Sequence, residues 1–125
     1  MGRVASTGLT VSGVTFGETV TAGDLVGWSG GQVVLAFGAS GSVVPAVGVA
    51  AASYRAGEVG AYHLRCELSG LSGLAAGATQ YLSISTPGAT QSGVPSGAGN
   101  FKQAVGYAVA ADRMVCVFQD AGVTL

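Results

Sequence analysis

The stretch Val59-Gly-Ala-Tyr-His-Leu-Arg-Cys-Glu-Leu68 decides the fold class, because apolar and polar residues alternate along it. Successive side chains of a β-strand point to opposite faces, so this pattern predicts one strand with a core face and a polar face. The predicted core face carries Tyr62, Leu64, Cys66 and Leu68, and the predicted polar face carries Ala61, His63, Arg65 and Glu67.

Shorter runs with the same period occur on both sides of this stretch, separated by turns rich in glycine. No window of a dozen residues keeps the apolar spacing of a helix without an interrupting Gly or Pro. The sequence therefore predicts an all-β fold, a compact β-barrel or β-sandwich with little or no helix. The predicted strands are 11–16, 25–28, 32–37, 43–51, 59–68, 81–85, 101–110 and 114–119.

An internal echo suggests two pseudo-repeated β-units. The words Val20-Thr-Ala-Gly-Asp-Leu-Val and Ala46-Val-Gly-Val-Ala are followed, in the same order, by Leu74-Ala-Ala-Gly-Ala-Thr-Gln-Tyr-Leu and Ala104-Val-Gly-Tyr-Ala. Glycine within a strand weakens it unless a bend or a close approach requires the missing side chain. Both Gly48 and Gly106 lie within predicted strands, and we expect them to lie at the corners of a barrel.

The composition limits the possible functions. The chain has 125 residues, enough for one domain, of which 49% are hydrophobic and only 9% charged, with a net charge of −1. Nucleic-acid binding is disfavoured because it depends on basic side chains that neutralise phosphates. A chain so poor in charge lacks the groups that keep a free monomer dispersed, which favours a protein covered by its neighbours in an assembly.

Membrane insertion, export and disulfide formation are each disfavoured. The uncharged run 33–52 is interrupted by Gly38, Gly41, Pro45 and Gly48, and two strands joined by a turn explain it better than a membrane span. The first residues show no apolar signal-peptide core. Cys66 and Cys116 both lie in apolar alternating runs, so we expect free buried thiols, with a disulfide as the alternative.

No catalytic, cofactor or metal site is predicted. Gly27-Trp-Ser-Gly-Gly31 matches the G-x-S-x-G pattern, but that motif needs a strand-to-helix elbow, for which the sequence offers no helix. Glu58 and His63 follow in the order of a triad, yet their odd spacing places them on opposite faces of one strand. His63 is the only histidine, which excludes a site with two histidine ligands.

The stretch from Gly70 to Phe118 resembles a module common in tailed bacteriophages, found in head decoration (capsid cement) proteins and in head or tail fibre domains. The words that carry the resemblance include Leu-Ser-Gly-Leu74, Tyr-Leu-Ser83, Thr-Pro-Gly88 and Gln-Ala-Val-Gly106, and the first half from about Gly17 looks similar. The resemblance implies a β-barrel or β-tulip unit, a homotrimer bound to the major capsid protein on the capsid surface of a virion, made in the bacterial host cytoplasm. It implies no active site and no cofactor.

The first residues have two interpretations. Residues 1–16 precede a single β-domain at 17–125, either as an arm that adds a strand to a capsid subunit or as an ordinary first strand. The arm hypothesis assigns partner binding to Val4, Leu9, Val11, Val14 and Phe16. So short a segment favours a decoration protein over a fibre, whose module normally follows a long shaft.

A fibre tip that binds a receptor or glycan is the alternative function. It needs exposed aromatic rings for stacking on sugars, and the candidates are Trp28, Tyr54 and Tyr62, although Tyr62 is predicted to face the core. A cellular β-domain with another binding role, and lastly an enzyme, are the remaining possibilities. The loop 86–100 is either an exposed tip or a contact within a trimer, and the sequence does not decide between them.

Overall fold

The computed structural model describes residues 3–6 and 8–125, which form strands and turns without any helix. The all-β prediction is confirmed. The strands are β1 (Arg3–Ser6), β2 (Thr10–Thr15), β3 (Leu25–Ser29), β4 (Gln32–Leu35), β5 (Gly48–Ala50), β6 (Val59–His63), β7 (Arg65–Ser69), β8 (Thr79–Leu82), β9 (Thr90–Gln91), β10 (Phe101–Lys102), β11 (Ala104–Ala110), β12 (Arg113–Val117) and β13 (Val123–Thr124).

The strands form two main antiparallel sheets. The first sheet has the order β2-β6-β5-β3-β4, the second has the order β1-β7-β12-β11-β8-β9, and β10 pairs with β13 separately. Leu25 and Val49 of the first sheet share one buried cluster with Leu68 and Met114 of the second. The two sheets therefore enclose a common core as a β-sandwich, and the molecule is not a closed barrel.

The two sheets repeat the same strand order. In the order within the sheet, β2, β6, β5, β3 and β4 of the first sheet correspond to β7, β12, β11, β8 and β9 of the second. The corresponding strands also follow one another in the same order along the chain. We call β2 to β6 the first unit, and β7, β8, β9, β11 and β12 the second unit. The echo in the sequence is therefore a repeat of structure, to which β1 adds an extra edge strand.

Hydrogen bonds of the two Ala-Gly turns repeat as well. Gly23 N–H donates to Ala50 O at 3.0 Å in the first unit, and Gly77 N–H donates to Ala108 O at 2.7 Å in the second. Both glycines have positive φ, 92° and 85°, a conformation that costs glycine little. The repeated word thus fixes how each hairpin begins beside its glycine-containing strand.

Close approach of a neighbouring group, and not the predicted barrel corner, explains both mid-strand glycines. A Cβ on Gly48 would collide with the Tyr62 ring, and one on Gly106 would collide with the carbonyl group of Val115. Gly48 is paired with Val26, and Gly106 is paired in the same way with Gln80. The register between these strands is therefore the same in the two units.

The stretch that was predicted as one strand, 59–68, is two strands that lie in different sheets. β6 ends at His63 and belongs to the first sheet, and β7 begins at Arg65 and belongs to the second. Leu64 lies between them and donates its N–H to Leu9 O at 2.9 Å. The alternation continues across this crossing, since Tyr62, Cys66 and Leu68 are all buried as predicted.

The first sheet curls until its two edges meet. Just after β2, Phe16 bridges Val33 of β4, and Gly17 N–H donates to Val33 O at 2.8 Å. The curl encloses a second buried cluster, which holds Val14, Phe16, Val20, Val26, Val33, Ala50 and Tyr62. Both faces of the first sheet are therefore covered, one by its own curl and the other by the second sheet.

The described part of segment 1–16 lies within these sheets. β1 pairs with β7 along Val4↔Leu68, and β2 pairs with β6 along Val11↔Tyr62. This arrangement is that of ordinary strands of the domain. β1 is the outermost strand of the second sheet, so it can pair with a strand of another protein along its other edge without leaving its own sheet.

Candidate functional site

The G-x-S-x-G match lies at a β-hairpin. Ser29 is paired with Gln32 across the turn between β3 and β4, and Gly30 and Gly31 both have positive φ, at 59° and 81°. Two positive φ values in a two-residue loop are typical of a hairpin turn and not of a strand-to-helix elbow. Ser29 therefore lacks the surroundings that activate a serine nucleophile.

The other two residues of the apparent triad have local partners. Glu58 Oε1 accepts the N–H of Arg55 at 2.6 Å and so stabilises its own turn. His63 Nδ1 lies 2.8 Å from Thr10 Oγ1 on the neighbouring strand, and partial burial lowers the pKa of its ring. Both side chains therefore stabilise turns and strand pairs in the first unit.

Cys66 and Cys116 are free, buried and directly opposite each other on β7 and β12. The hydrogen bond between the two thiols, together with burial, raises the pKa of Cys116. A thiol that stays protonated is a poor nucleophile and a poor metal ligand. In the part of the chain that the structure describes, no three His, Cys, Asp or Glu side chains are grouped to hold a metal ion.

The residues assigned to partner binding occupy different environments. Phe16 is 0% exposed and Val14 is also buried, so neither contacts a partner in this fold. Val4 and Val11 are partly buried against the two core clusters. Leu9 is 75% exposed on the connection between β1 and β2, and it alone of the five presents a free apolar side chain.

One of the three aromatic candidates for sugar stacking is exposed. Trp28 is 44% exposed, and its Nε1 donates to the hydroxyl of the buried Tyr62 at 3.2 Å. Tyr54 stacks on Phe16 with ring centroids 4.4 Å apart, and its hydroxyl accepts the N–H of Ala61. The structure therefore uses Tyr54 and Tyr62 in packing and leaves Trp28 available.

A cleft of about 430 Å³ opens in the second unit between β9 and the segment 70–74. We call it the seam cleft. Its place in the second unit corresponds to the place in the first unit where the bridge between Phe16 and Val33 joins the two edges of the sheet. It is lined by Gly70, Leu71, Ser72, Leu74, Gln80, Ala89, Thr90, Gln91 and Ser92. None of these residues is charged, so the cleft suits an uncharged occupant.

Gln80 at the seam cleft has one amide atom without a partner. The side chain is 0% exposed, and its Oε1 accepts from Ser92 Oγ at 3.0 Å, while its Nε2 has no hydrogen-bond partner. If the amide is turned by 180°, the unpaired atom is the oxygen instead. In either orientation a buried polar atom is unsatisfied, which costs about 1–3 kcal/mol.

Sequence reasoning did not identify the seam cleft. Gln80 lies in an alternating strand where a polar residue is expected to face solvent, and nothing local signals that its side chain is buried. The signal that was available is the internal repeat, because it places Gln80 in the position that Val26 holds in the first unit.

No protein-family model matches the chain, and no curated protein shows significant similarity to it. The described residues include no helix long and apolar enough to cross a membrane.

Proposed function

We propose that the protein is a non-catalytic structural component of a bacteriophage virion, which decorates the outer surface of the capsid and stabilises it. Its partners in this role are the major capsid protein and further copies of itself. The proposal requires no cofactor, metal ion or nucleic acid. The observation that carries it is a surface that combines few charges with several exposed large apolar side chains.

The apolar surface is spread over both units and is not gathered in one pocket. The exposed large hydrophobic residues are Leu9, Trp28, Val59, Val94, Tyr107, Val109, Val123 and Leu125. Tyr107 and Val109 lie on β11, on the face of the second sheet that is turned away from the common core. Apolar surface of this kind is a liability for a free monomer and is useful when neighbouring subunits cover it.

The resemblance to head decoration proteins supports the same function and adds a trimeric assembly to it. The environments of the candidate catalytic residues favour a structural role, because Glu58, His63 and the thiols are occupied in local bonds. A decoration protein needs contact area, and repeated copies on one particle gain from avidity.

Quantification of the protein in purified phage particles tests the proposal. We expect a copy number of the same order as that of the shell subunit, and density for the β-sandwich on the outer surface of the shell. Particles that contain only a few copies, at a tail or at one vertex, would contradict decoration.

Exposure of Trp28 favours one alternative, a fibre tip that binds a glycan. An exposed indole beside polar groups is a common platform for a sugar ring. Binding to a glycan array that disappears in Trp28→Ala, together with a low copy number, would favour this alternative over decoration.

A further inference from the structure

We propose that the seam cleft receives the Leu9 side chain of a second copy of this chain, so that copies join head to tail into a closed ring. The inference rests on the self-association that the proposed function includes, and not on binding to a shell.

The first unit shows what fills such a cleft. There Phe16 bridges Val33 and stacks on Tyr54, so a large apolar side chain from an extended segment closes the curl. Leu71 matches Phe16, because its N–H donates to Asp112 O just before β12 as the N–H of Phe16 donates to Glu58 O just before β6. Thr90 matches Val33, because Thr90 is paired with Leu82 as Val33 is paired with Trp28. Leu71 and Thr90 both line the cleft and form no bridge.

The unsatisfied amide of Gln80 also indicates an occupant. In the first unit the matching side chain is Val26, which is fully buried with Phe16 and Val33 and has no polar atom to satisfy. A peptide segment that enters the seam cleft brings backbone C=O groups, which accept from Gln80 Nε2, and N–H groups, which donate to the amide oxygen in the turned orientation. Since Gln80 is 0% exposed, its side chain must shift towards the cleft to form this bond.

Leu9 has the properties that the cleft requires. It is the most exposed of the large hydrophobic residues in the described part of the chain, and its neighbours Gly8 and Thr10 are uncharged and small. Burial of a single leucine side chain stabilises a contact only weakly, so the assembly depends on several such contacts forming together.

Leu9 and the seam cleft lie at opposite ends of β7. Leu9 O accepts from Leu64, just before the strand begins at Arg65, whereas the cleft residues Gly70 and Leu71 follow its end at Ser69. Five strand residues separate the two sites by about 17 Å, at about 3.4 Å per residue. A molecule therefore cannot fill its own cleft. A contact between two different surfaces generates a ring or an open filament, and only a ring of three copies gives the trimer that the proposed function includes.

Cross-linking tests the contact directly. The double variant Leu9→Cys/Ser72→Cys, oxidised with copper phenanthroline, should yield disulfide-linked species up to the size of the ring and no larger. Each single variant should stay uncross-linked, because the contact joins two different surfaces. The native thiols are buried and should not contribute. A double variant that gives no covalent oligomer, or single variants that cross-link equally well, would overturn the proposal.

Mixing of two defective variants tests the head-to-tail geometry. Leu9→Asp removes the inserted side chain and Ser72→Glu adds a charge to the uncharged cleft, and both positions are exposed, so folding should be unaffected. By light scattering each variant alone should be monomeric, and the mixture should form dimers, because one intact contact remains. Ala56→Asp, at an exposed residue of the first unit that is not one of the large apolar side chains of the surface, is the matched control and should keep the wild-type assembly.

The two proposals fail separately. Wild-type protein that is monomeric at every concentration, or rings that survive in Leu9→Asp, would overturn the ring contact and leave shell binding untouched. Normal rings of a protein that is absent from phage particles would contradict decoration and leave the contact standing.

Discussion

The first and second units share one strand order, yet the first is closed and the second is open. In the first, Phe16 at the end of β2 reaches Val33 on β4 and encloses a core of its own. In the second, Leu71 and Thr90 line the seam cleft and form no bridge with each other. The inner face of the second unit packs instead on the outer face of the first, through Leu68 and Met114. A repeated unit thus gains a common core with its neighbour by giving up its own closure.

The largest effect is expected from Phe16→Ala, which removes the side chain that closes the first unit. A fully buried Phe truncated to Ala costs about 3–5 kcal/mol of the free energy of unfolding. The matching change in the second unit, Leu71→Ala, affects a partly buried residue at an open cleft and should cost about 1 kcal/mol. Urea denaturation of the two variants measures the difference. Equal losses would show that the contact of Phe16 with Val33 does not stabilise the first unit more than Leu71 stabilises the second.

Substitution of the two mid-strand glycines should come next. In Gly106→Ala the new Cβ meets the backbone carbonyl of Val115, which cannot move without loss of strand pairing, so we expect about 2–3 kcal/mol of destabilisation. In Gly48→Ala the nearest group is the Tyr62 ring, and the nearest backbone atom is the carbonyl oxygen of His63 at 2.7 Å, farther away than the Val115 carbonyl is in Gly106→Ala, so the cost should be smaller. Gly93→Ala is the control, because nothing lies within 4 Å of the added atom. Thermal melting compares all three, and a larger loss for Gly48→Ala would contradict this ranking.

Gln103 joins the two units, and its loss should cost about 2 kcal/mol. Its amide pairs with both backbone groups of Ala46, at 2.8 Å and 2.9 Å, and also donates to Asp120 O. Gln103→Leu would leave the N–H and C=O of Ala46 without partners in a buried place. Gln103→Glu keeps an acceptor for the Ala46 N–H and loses the donor.

Hydrogen exchange at Ala46 N–H is the measurement that distinguishes the two Gln103 variants. Protection at this amide should fall strongly in Gln103→Leu and less in Gln103→Glu. Unchanged protection in both variants would mean that the side chain does not hold the units together.

The strands and the pairing of the two units can be predicted from the sequence, since the alternation and the repeated words are both patterns within short segments. The features that the sequence does not predict depend on distant residues. The alternating pattern does not reveal that the chain passes from one sheet to the other at Leu64. Tyr62 before it and Cys66 after it are both buried, so the pattern is the same as that of one continuous strand. The run 101–110 is likewise divided at Gln103, whose buried amide takes its partners from Ala46 and Asp120. The seam cleft depends on whether Leu71 reaches Thr90, and no pattern within either segment reports that distance.

The smallest effect concerns two carboxylates that respond to pH in opposite directions. In the first unit, burial raises the pKa of Asp24 above 3.8, so its ionised form opposes folding, and this penalty disappears as the pH falls through the raised pKa. Near the second unit, backbone hydrogen bonds from Ala104 and Gly122 lower the pKa of Asp120 below 3.8. Its contribution to stability is present above pH 3.8 and is lost as the pH falls through the lowered pKa. Unfolding free energies measured between neutral and acidic pH should therefore fall less steeply towards acid in Asp120→Asn than in the wild type, and more steeply in Asp24→Asn. Identical slopes for the two variants would show that the carboxylates do not sense the different surroundings of the two units.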